Sequence, residues 1–231
     1  MHKLLPIILF LTSFNNLYSQ DLIRFYEKYK VGYKNNQNMI VVPAEYDFGS
    51  EFYEGKALVI KNNKRGFIDE NGKEIIPLTY DDAGVFAGGL AKVAINGKYG
   101  FINSNGEIII NLIYTQADDF HEGLARVQLG TKWGAINYQG EIKIPIEYDW
   151  LLNSSEKLIT AKKEGKWGFI DHFNQTIIPF EYNNATAFIN GTATVTEGKS
   201  SWIINSKNKK LKKLESNEER EREAHQRRKK K

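Results

Sequence analysis

The sequence repeats itself every 34 residues, and this period restricts the possible folds more than any other feature. Segments such as KYGFINSNGEIIIN, KWGAINYQGEIKIP and KWGFIDHFNQTIIP align without a gap. The glycine that they share recurs at Gly32, Gly66, Gly100, Gly134 and Gly168. A period of this length is typical of proteins in which copies of one small unit stack, each against its neighbours.

Four further positions keep one residue type through most copies. They are Tyr46, Tyr80, Tyr114, Tyr148 and Tyr182; Pro43, Pro77, Pro145 and Pro179, with Asn111 as the exception; Phe52, Phe86, Phe120 and Phe188; and Gly55, Gly89, Gly123 and Gly191. A slip of one residue in a strand would turn its apolar side chains outward, so this constant register indicates that every copy makes the same contacts. The fourth copy departs at residues 153–157, which replace the Phe and Gly positions, and we expect this loop to pack differently or to be exposed.

Each copy has the sequence pattern of three short strands. Ala57–Ile60, Gly66–Asp69 and Glu74–Pro77 are apolar, β-branched or aromatic runs that are separated by turn residues. They predict a three-stranded antiparallel meander of about 22 residues. The roughly 12 residues after each proline lack strand alternation, and they predict a loop whose aromatic side chains fill the space between units.

The second turn of each copy has a more specific pattern. An Asp or Asn stands three residues before a Gly or Asn, as in Asp69 and Gly72 or in Asp171 and Asn174. The first side chain can cap its own turn and the last residue tolerates a left-handed backbone, so the pattern predicts a type I turn closed by a glycine bulge. A two-residue Asn-Gly hairpin is the competing register in the second and third copies.

These patterns predict an all-β array of five 34-residue repeats over residues 32–205. An open, twisted stack is favoured, because 34 residues are few for a four-stranded propeller blade, which usually takes about 40 or more. The alternative is a five-bladed propeller-like ring, which would be closed by pairing of Trp202–Asn205 with the first unit.

Residues 1–19 have the outline of a secretory signal peptide, with a short basic start, the apolar run LLPIILFLTSF and a small residue at Ser19. The apolar run is shorter than the roughly 20 residues that span a bilayer, which disfavours the alternative of a signal anchor. We therefore expect a secreted or periplasmic protein with no transmembrane segment in its mature chain.

Two segments flank the array. Residues 20–31 are expected to cap it, as a short amphipathic helix or as an extended arm paired with the first sheet. The helix is suggested by apolar residues at helical spacing, which are Leu22, Phe25, Tyr26 and Tyr29. Residues 206–231 are predicted to form a charged tail outside the fold, either helical or disordered.

The net charge of +4 conceals a division between body and tail. Residues 206–231 carry +7, which leaves about −4 on residues 20–205. A basic tail of this kind is attracted to anionic surfaces, such as acidic polymers or lipids of the cell envelope, or it only keeps the protein soluble. Nucleic acid is not expected as a partner.

No set of residues in the sequence has the spacing of a catalytic, cofactor-binding or metal site. The chain has no cysteine, which excludes disulfides and thiolate chemistry. The four histidines share no ligand spacing and stand beside no nucleophile; they are His2, His121, His172 and His225. One polar cluster could hold a metal ion, but an exposed loop explains it without one; it comprises Asp118, Asp119, His121 and Glu122. We therefore predict no enzymatic activity, no cofactor and no metal.

Two repeated patterns allow both a functional and a structural interpretation. The Trp or Tyr before the shared glycine, as at Trp133 and Trp167, could form a row of stacking surfaces for sugars or peptides. Its recurrence at the structural period favours packing between repeats. The acidic residues of the Tyr-Asp pairs could bind cations, but Thr115 interrupts the series and turn capping is favoured. These acidic residues are Asp47, Asp81 and Asp149.

The motifs KYG at residues 98–100, KWG at 132–134 and KWG at 166–168 are each followed by an apolar pair, an Asn or Asp and a turn. In this they resemble the bacterial WG repeat family. The resemblance covers about residues 31–205, with departures at Val31, Arg65, Ala135 and Trp202. It implies an all-β repeat scaffold, often in secreted or envelope proteins, and it brings no catalytic residues.

The favoured functional hypothesis is a secreted or periplasmic scaffold, without catalytic activity, that binds protein or glycan partners of the cell envelope. One alternative is a structural element of the envelope that is tethered by its basic tail. A minor alternative is an enzyme with an unrecognised site.

Overall fold

A computed structural model describes residues 22–215, which form strands and turns without a helix. The predicted signal peptide at residues 1–19 and the last part of the predicted tail, residues 216–231, lie outside the described residues. The described part of the chain therefore offers no helix that is long and apolar enough to cross a membrane.

The strands form six small antiparallel sheets in chain order. The first sheet contains β1 (Ile23–Glu27), β2 (Lys30–Lys34) and β3 (Ile40–Tyr46). The second contains β4 (Phe48–Tyr53), β5 (Lys56–Lys61), β6 (Lys64–Asp69) and β7 (Glu74–Tyr80). The third contains β8 (Asp82–Ala83), β9 (Leu90–Ile95), β10 (Lys98–Asn103) and β11 (Ile108–Tyr114).

The remaining three sheets repeat the same order. The fourth contains β12 (Gln116–Ala117), β13 (Ala125–Leu129), β14 (Lys132–Ile136) and β15 (Ile142–Tyr148). The fifth contains β16 (Trp150–Leu151), β17 (Leu158–Lys163), β18 (Lys166–Asp171) and β19 (Thr176–Tyr182). The sixth contains β20 (Asn184–Ala185), β21 (Thr192–Glu197), β22 (Ser200–Asn205) and β23 (Lys210–Leu214).

The predicted all-β array of three-stranded meanders is confirmed, and the structure adds a fourth strand to five of the six sheets. This strand has six residues in the second sheet and two residues in the other four. The segment after the proline is more ordered than the predicted loop. β7 continues three residues beyond Pro77, and only Asp81 separates it from β8 in the next sheet. One bent strand thus takes part in two sheets, which fixes how successive units pack.

The N-terminal segment is a strand, so the helix predicted within residues 20–31 is wrong and the alternative of an extended arm is correct. β1 pairs antiparallel with β2, from Ile23 opposite Lys34 to Glu27 opposite Lys30. Pairing with β2 fixes the segment as a strand, and the ring of Phe25 occupies the space where a side chain at Gly32 would stand. β1 is the counterpart of β5 one period earlier, and it makes the first sheet a sixth copy of the unit.

The start of the predicted tail also belongs to the fold, which corrects the prediction that residues 206–231 lie outside it. β23 pairs with β22 and completes the sixth sheet. Without β23, the backbone groups along one side of β22 would have no strand partner. Lysines make up three of its five residues, so its composition resembles a tail although its backbone is a strand.

The array is open, as the favoured prediction states. β22, which contains Trp202–Asn205, pairs with β21 and β23 and not with the first sheet. The five-bladed ring closed by this segment is therefore wrong. Within residues 22–215, no strand of the sixth sheet is hydrogen-bonded to a strand of the first.

The apolar core is divided into clusters that lie along the array. In four copies, an aromatic residue of a middle strand packs against the repeated phenylalanine that follows in sequence. The ring centroids are 5.1 Å apart in Tyr33–Phe52, 4.9 Å in Phe67–Phe86, 4.8 Å in Phe101–Phe120 and 4.9 Å in Phe169–Phe188. Such tilted or edge-to-face pairs combine burial of a large apolar area with favourable ring geometry.

In the first five sheets, the shared glycine lets the last strand bulge toward the strand that contains the glycine. A Cβ on Gly100 would lie 2.8 Å from the carbonyl oxygen of Asn111, and the carbonyl oxygen of Ile110 would be closer still. The pairing of β10 with β11 shifts register across this glycine, between Tyr99 and Phe101, and again between Phe101 and Ile102. In the sixth sheet Trp202 takes the glycine position, and β23 pairs opposite it in regular register because the close approach is blocked.

The second turn is confirmed as a type I turn with a bulge, and the two-residue hairpin is excluded. The amide of Gly72 donates to the carbonyl of Asp69, and Gly72 has φ +78°. The Asp69 carboxylate accepts hydrogen bonds from the amides of Asn71 and Lys73, 2.9 Å each. Asn174 takes the same left-handed conformation, with φ +64°.

The loop of the fourth copy keeps the backbone of its sister loops, and the expected difference lies in how its side chains pack. Ser155 and Leu158 form the same bridge that joins Ala87 and Leu90 in the second copy. Lys157 has φ +65° at the position where the sister loops have glycine. Only the side-chain packing differs, since the repeated phenylalanine is replaced by a serine.

Replacing Lys157 with glycine is expected to raise the free energy of unfolding by about 1 kcal/mol, because a positive φ strains a residue that has a Cβ. Chemical denaturation monitored by tryptophan fluorescence measures this change. The control is Lys157→Ala, which removes the long side chain and keeps the strained Cβ. An equal gain from both variants would contradict the backbone explanation.

Candidate functional site

The boundary between the fourth and fifth sheets differs from every other boundary, because three core positions have changed together. Ala135 and Ser154 replace the two aromatic residues that pair in the sister copies. Leu151 stands where Ala83 stands in the second copy, and its larger side chain is fully buried. This exchange conserves part of the lost volume, which is the kind of change that protein cores tolerate.

A shallow notch remains where the aromatic pair is missing. It has room for about one water molecule. Its floor is mostly apolar and its rim is polar; it is lined by Leu124, Leu151, Ile159, His121, Arg126 and Ser154. The notch is too small to hold a ligand by itself, so recognition at this boundary depends on the surface around it.

We call the side chains beside the notch the Trp150 surface, defined as Asp118, Arg126, Trp133 and Trp150. The rings of Trp133 and Trp150 are 5.2 Å apart at 58°. Trp133 is buried, whereas Trp150 is 42% exposed. An exposed tryptophan that is held by a buried one presents a large and rigid apolar face to solvent.

Arg126 is fixed on three sides. Its Nε donates to the Asp118 carboxylate at 2.5 Å, and its Nη1 donates to the Leu151 carbonyl. The guanidinium also lies over the Trp133 ring, 5.5 Å from the centroid. Since these contacts already hold the arginine in one conformation, its side chain loses little entropy when a partner binds.

The other residues of the Trp/Tyr row pack between repeats, as the favoured interpretation predicts. Tyr99 and Trp167 pack against core clusters that join two successive sheets. Within their own sheets, the Tyr99 hydroxyl donates a hydrogen bond to Asp82, and the ring of Trp167 lies 5.9 Å from the ammonium of Lys162. Both rings are half-buried. The Trp150 surface therefore differs from the rest of the row in having a second, exposed ring.

The repeated aspartates are turn caps and ion-pair partners. Asp47 accepts a hydrogen bond from the amide of Asn62, at 2.9 Å, and its other oxygen binds the ammonium of Lys30. The Lys30 hydrogen bond holds the pKa of Asp47 below its usual range. Asp81 and Asp149 make equivalent contacts.

The predicted polar cluster around Asp118 is dispersed in the structure. Asp118 pairs with Arg126, while the backbone of His121 bonds to that of Leu124. Asp119 points instead toward the preceding sheet. Among residues 22–215, no three acidic or histidine side chains are grouped closely enough to hold a metal ion.

One contact was missed by sequence reasoning, which placed no nucleophile beside any histidine. The Ser154 hydroxyl lies 2.5 Å from Nε2 of His172. The two residues are 18 positions apart and meet only because the turn after β18 packs on the fourth-copy loop. Nδ1 of His172 has no carboxylate partner within the described chain.

Asp119 is a buried carboxyl group with an unsatisfied oxygen. Its Oδ1 has no hydrogen-bond partner in the described structure, and the carboxyl group fills the space above Gly84 where a Cβ would stand. Burial raises the pKa of Asp119, and the nearby Lys92 only partly offsets this. The charged form of Asp119 therefore destabilises the folded state at neutral pH.

Replacing Asp119 with asparagine is expected to stabilise the protein by about 1 kcal/mol at pH 7. Because the pKa is raised on folding, the native state gains stability as the pH falls and Asp119 becomes protonated. The advantage of the variant should therefore shrink toward pH 3. Thermal unfolding of both proteins between pH 3 and pH 7 measures this change. The control is Asp171→Asn, because the equivalent residue of the preceding copy, Asn137, is already an asparagine. A difference that stays constant with pH would contradict the assignment.

Comparison with known proteins agrees with this architecture. No curated protein matches the sequence. Among solved structures, a eukaryotic initiation factor aligns with a TM-score of 0.56 at 10% identity, covering 85% of this chain and 63% of that one. The chain thus spans less than two thirds of that structure, and at this identity the likeness concerns the fold alone. The neighbouring structures have β-propeller-like folds, whereas the array of this chain is open.

Two other structures align more weakly. Hsv2 from Kluyveromyces lactis gives a TM-score of 0.48 at 9% identity, with 87% of this chain and 74% of that chain covered. The extracellular domain of a proposed one-component system from B. thetaiotaomicron gives 0.41 at 13% identity, with 85% and 35% covered.

The family comparison is more specific, because it follows the repeat copy by copy. The model described as "WG containing repeat" matches five consecutive segments, at residues 32–64, 66–99, 99–133, 133–167 and 167–199. These matches account for most of the chain and coincide with the period of the sheets. The chain therefore belongs to the WG repeat family.

Proposed function

We propose that the protein is a binding scaffold without catalytic activity that acts outside the cytoplasm and holds its partner on the Trp150 surface. The observation that carries the proposal is the exposed Trp150, held at 5.2 Å by the buried Trp133. Arg126 lies over the Trp133 ring in a fixed conformation. Tryptophan and arginine in a rigid, partly desolvated setting are the residues that contribute most at protein interfaces.

A protein partner is favoured over a glycan at this surface. The surface combines an exposed tryptophan with an arginine held in one conformation, and these residue types contribute most at protein–protein interfaces. A glycan would instead stack on the Trp150 ring and bond to Arg126 or Asp118. Either kind of partner, protein or glycan, would be a component of the cell envelope if residues 1–19 direct export.

The test is affinity capture from a cell-envelope fraction with the purified chain, followed by measurement of the dissociation constant for the captured partner. Trp150→Ala should weaken binding at least tenfold, because a central tryptophan at an interface contributes about 2 kcal/mol or more. The matched control is Phe173→Ala, which removes an exposed ring from a turn. Equal binding by wild type and Trp150→Ala would overturn the assignment of the surface.

The alternative, a structural element tethered by its basic end, has its own support. β23 already presents lysines at the end of the fold, and the basic sequence continues through residues 216–231. Deleting residues 216–231 leaves β23 intact. Release of the shortened protein from the envelope would favour the tether, and unchanged retention would count against it.

A further inference from the structure

The last strand of every sheet is an edge strand. β3, β7, β11, β15, β19 and β23 each pair with a single neighbour in their own sheet. An exposed edge can pair with another chain, so edges are usually protected by proline or by charged side chains. Four of these strands carry a central proline, which lacks the amide hydrogen, at Pro43, Pro77, Pro145 and Pro179. In β23 a lysine, Lys213, takes the same position.

β11 has none of these protections. Its sequence is IIINLIY, with Asn111 at the proline position and no charged residue. The sister strands have a proline at this position, which has no amide hydrogen, yet they pair with their neighbours in the same bulged register. The pairing of β11 with β10 therefore does not require the amide of Asn111. That amide is an additional donor on the edge of β11.

The side chains of β11 are also unusually apolar. Ile109 and Ile113 are 47% and 50% exposed, and they lie on the same face of the strand as the exposed Asn111. The position of Ile113 is occupied by Glu45 in the first copy, which pairs with Lys61. In the third copy both partners are apolar, because Leu129 takes the lysine position and is 47% exposed.

We propose that β11 is a homodimerisation edge, at which a second copy of this chain pairs antiparallel through its own β11. The strand is self-complementary about Asn111. A two-fold axis through this residue places Ile109 of each copy opposite Ile113 of the other, which covers four exposed isoleucines. It also places Glu107 opposite Thr115, so no like charges face each other across the pair.

An unrelated extended peptide could use the same edge, but the symmetry of the segment favours a second copy. The contact is one strand wide, so we expect weak association, with a dissociation constant on the order of 10–100 µM. Sedimentation velocity of the purified chain over this concentration range should show a monomer–dimer equilibrium. A monomer at all concentrations would overturn the proposal.

The decisive variant replaces three residues of β11 with the residues that protect the edge of β15. Ile109→Lys, Asn111→Pro and Ile113→Glu together introduce the residues that stand at Lys143, Pro145 and Glu147 in the sister strand. The fold accommodates all three residues in β15, and an unchanged thermal unfolding curve verifies that it does so in β11. The dissociation constant should rise at least tenfold. A folded triple variant that dimerises like wild type would refute the proposal.

Because the chain has no cysteine, cross-linking gives an independent readout. Asn111→Cys places one thiol on the two-fold axis, where the paired strands bring equivalent Cα atoms about 4.5–5.5 Å apart. Mild oxidation should produce a covalent dimer. Ile177→Cys, at an exposed position of the proline-protected β19, is the matched control and should remain monomeric. Equal cross-linking of the two variants would contradict specific pairing. Capture of a peptide by β11 in a chain that stays monomeric would also overturn the proposal.

Discussion

Gly100→Ala is expected to lower the free energy of unfolding by about 3 kcal/mol or more, as overpacking against rigid neighbours does. The new Cβ would lie 2.8 Å or less from two backbone carbonyl oxygens of β11. Neither carbonyl can move without disturbing the bulge that lets β11 cross to the next sheet. Urea unfolding, followed by tryptophan fluorescence and circular dichroism, measures the loss.

The matched control is Gly97→Ala in the hairpin turn just before β10. Gly97 has φ +70° and no atom within 4 Å of the position that a Cβ would occupy. Alanine there is subject to backbone strain alone, about 1 kcal/mol. If both variants lost the same stability, the close approach of β11 would not be the reason for the repeated glycine.

Phe169→Ala is expected to destabilise the protein by about 3–4 kcal/mol, since a fully buried ring is removed and leaves a cavity. Its partner Phe188 should give a similar loss, because the two rings pack edge-to-face at 4.9 Å. Removing both should cost less than the sum of the single losses, by about 1 kcal/mol. A double-mutant cycle in urea measures the coupling.

The natural counterpart of this double variant is the fourth copy, where Ala135 and Ser154 replace both rings. Leu151 partly fills the space there, whereas Ala185 stands at the equivalent position beside Phe169. Adding Ala185→Leu to the double variant should therefore restore part of the stability. Strictly additive losses, with no rescue by leucine, would show that the rings act independently. The control is Phe173→Ala, at a residue that is 83% exposed, and it should change the free energy of unfolding by at most about 0.5 kcal/mol.

The local structure of each unit could be predicted because its signals are close in sequence. Asp69 and Gly72 define their turn within four residues, and the hydrogen bonds found there are the predicted ones. The short apolar and β-branched runs between turn residues likewise predicted the hairpins. The class of fold and the open array followed from the period, since a constant register requires that each unit make the same contacts.

The ends of the array were assigned less well, for a physical reason. Leu22, Phe25 and Tyr29 fit a helical stripe, and a short segment of this length has no preference strong enough to decide its conformation. Hydrogen bonding to β2 decides it. Comparison of residues 23–27 with β5, one period later, is the signal that could have revealed the strand. The same comparison with β19 could have revealed β23.

The sequence by itself determined the repeat, its turns and the class of fold, because these depend on neighbours a few residues apart. Only the tertiary structure decided which differences between copies meet. Ala135, Leu151 and Ser154 are spread over 20 residues, yet they line one notch beside Trp150. The edge of β11 is likewise exposed because β10 is its single partner in the sheet, and this pairing is seen only in the assembled sheets. Contacts between sheets carry this information, and no local pattern in the chain encodes it.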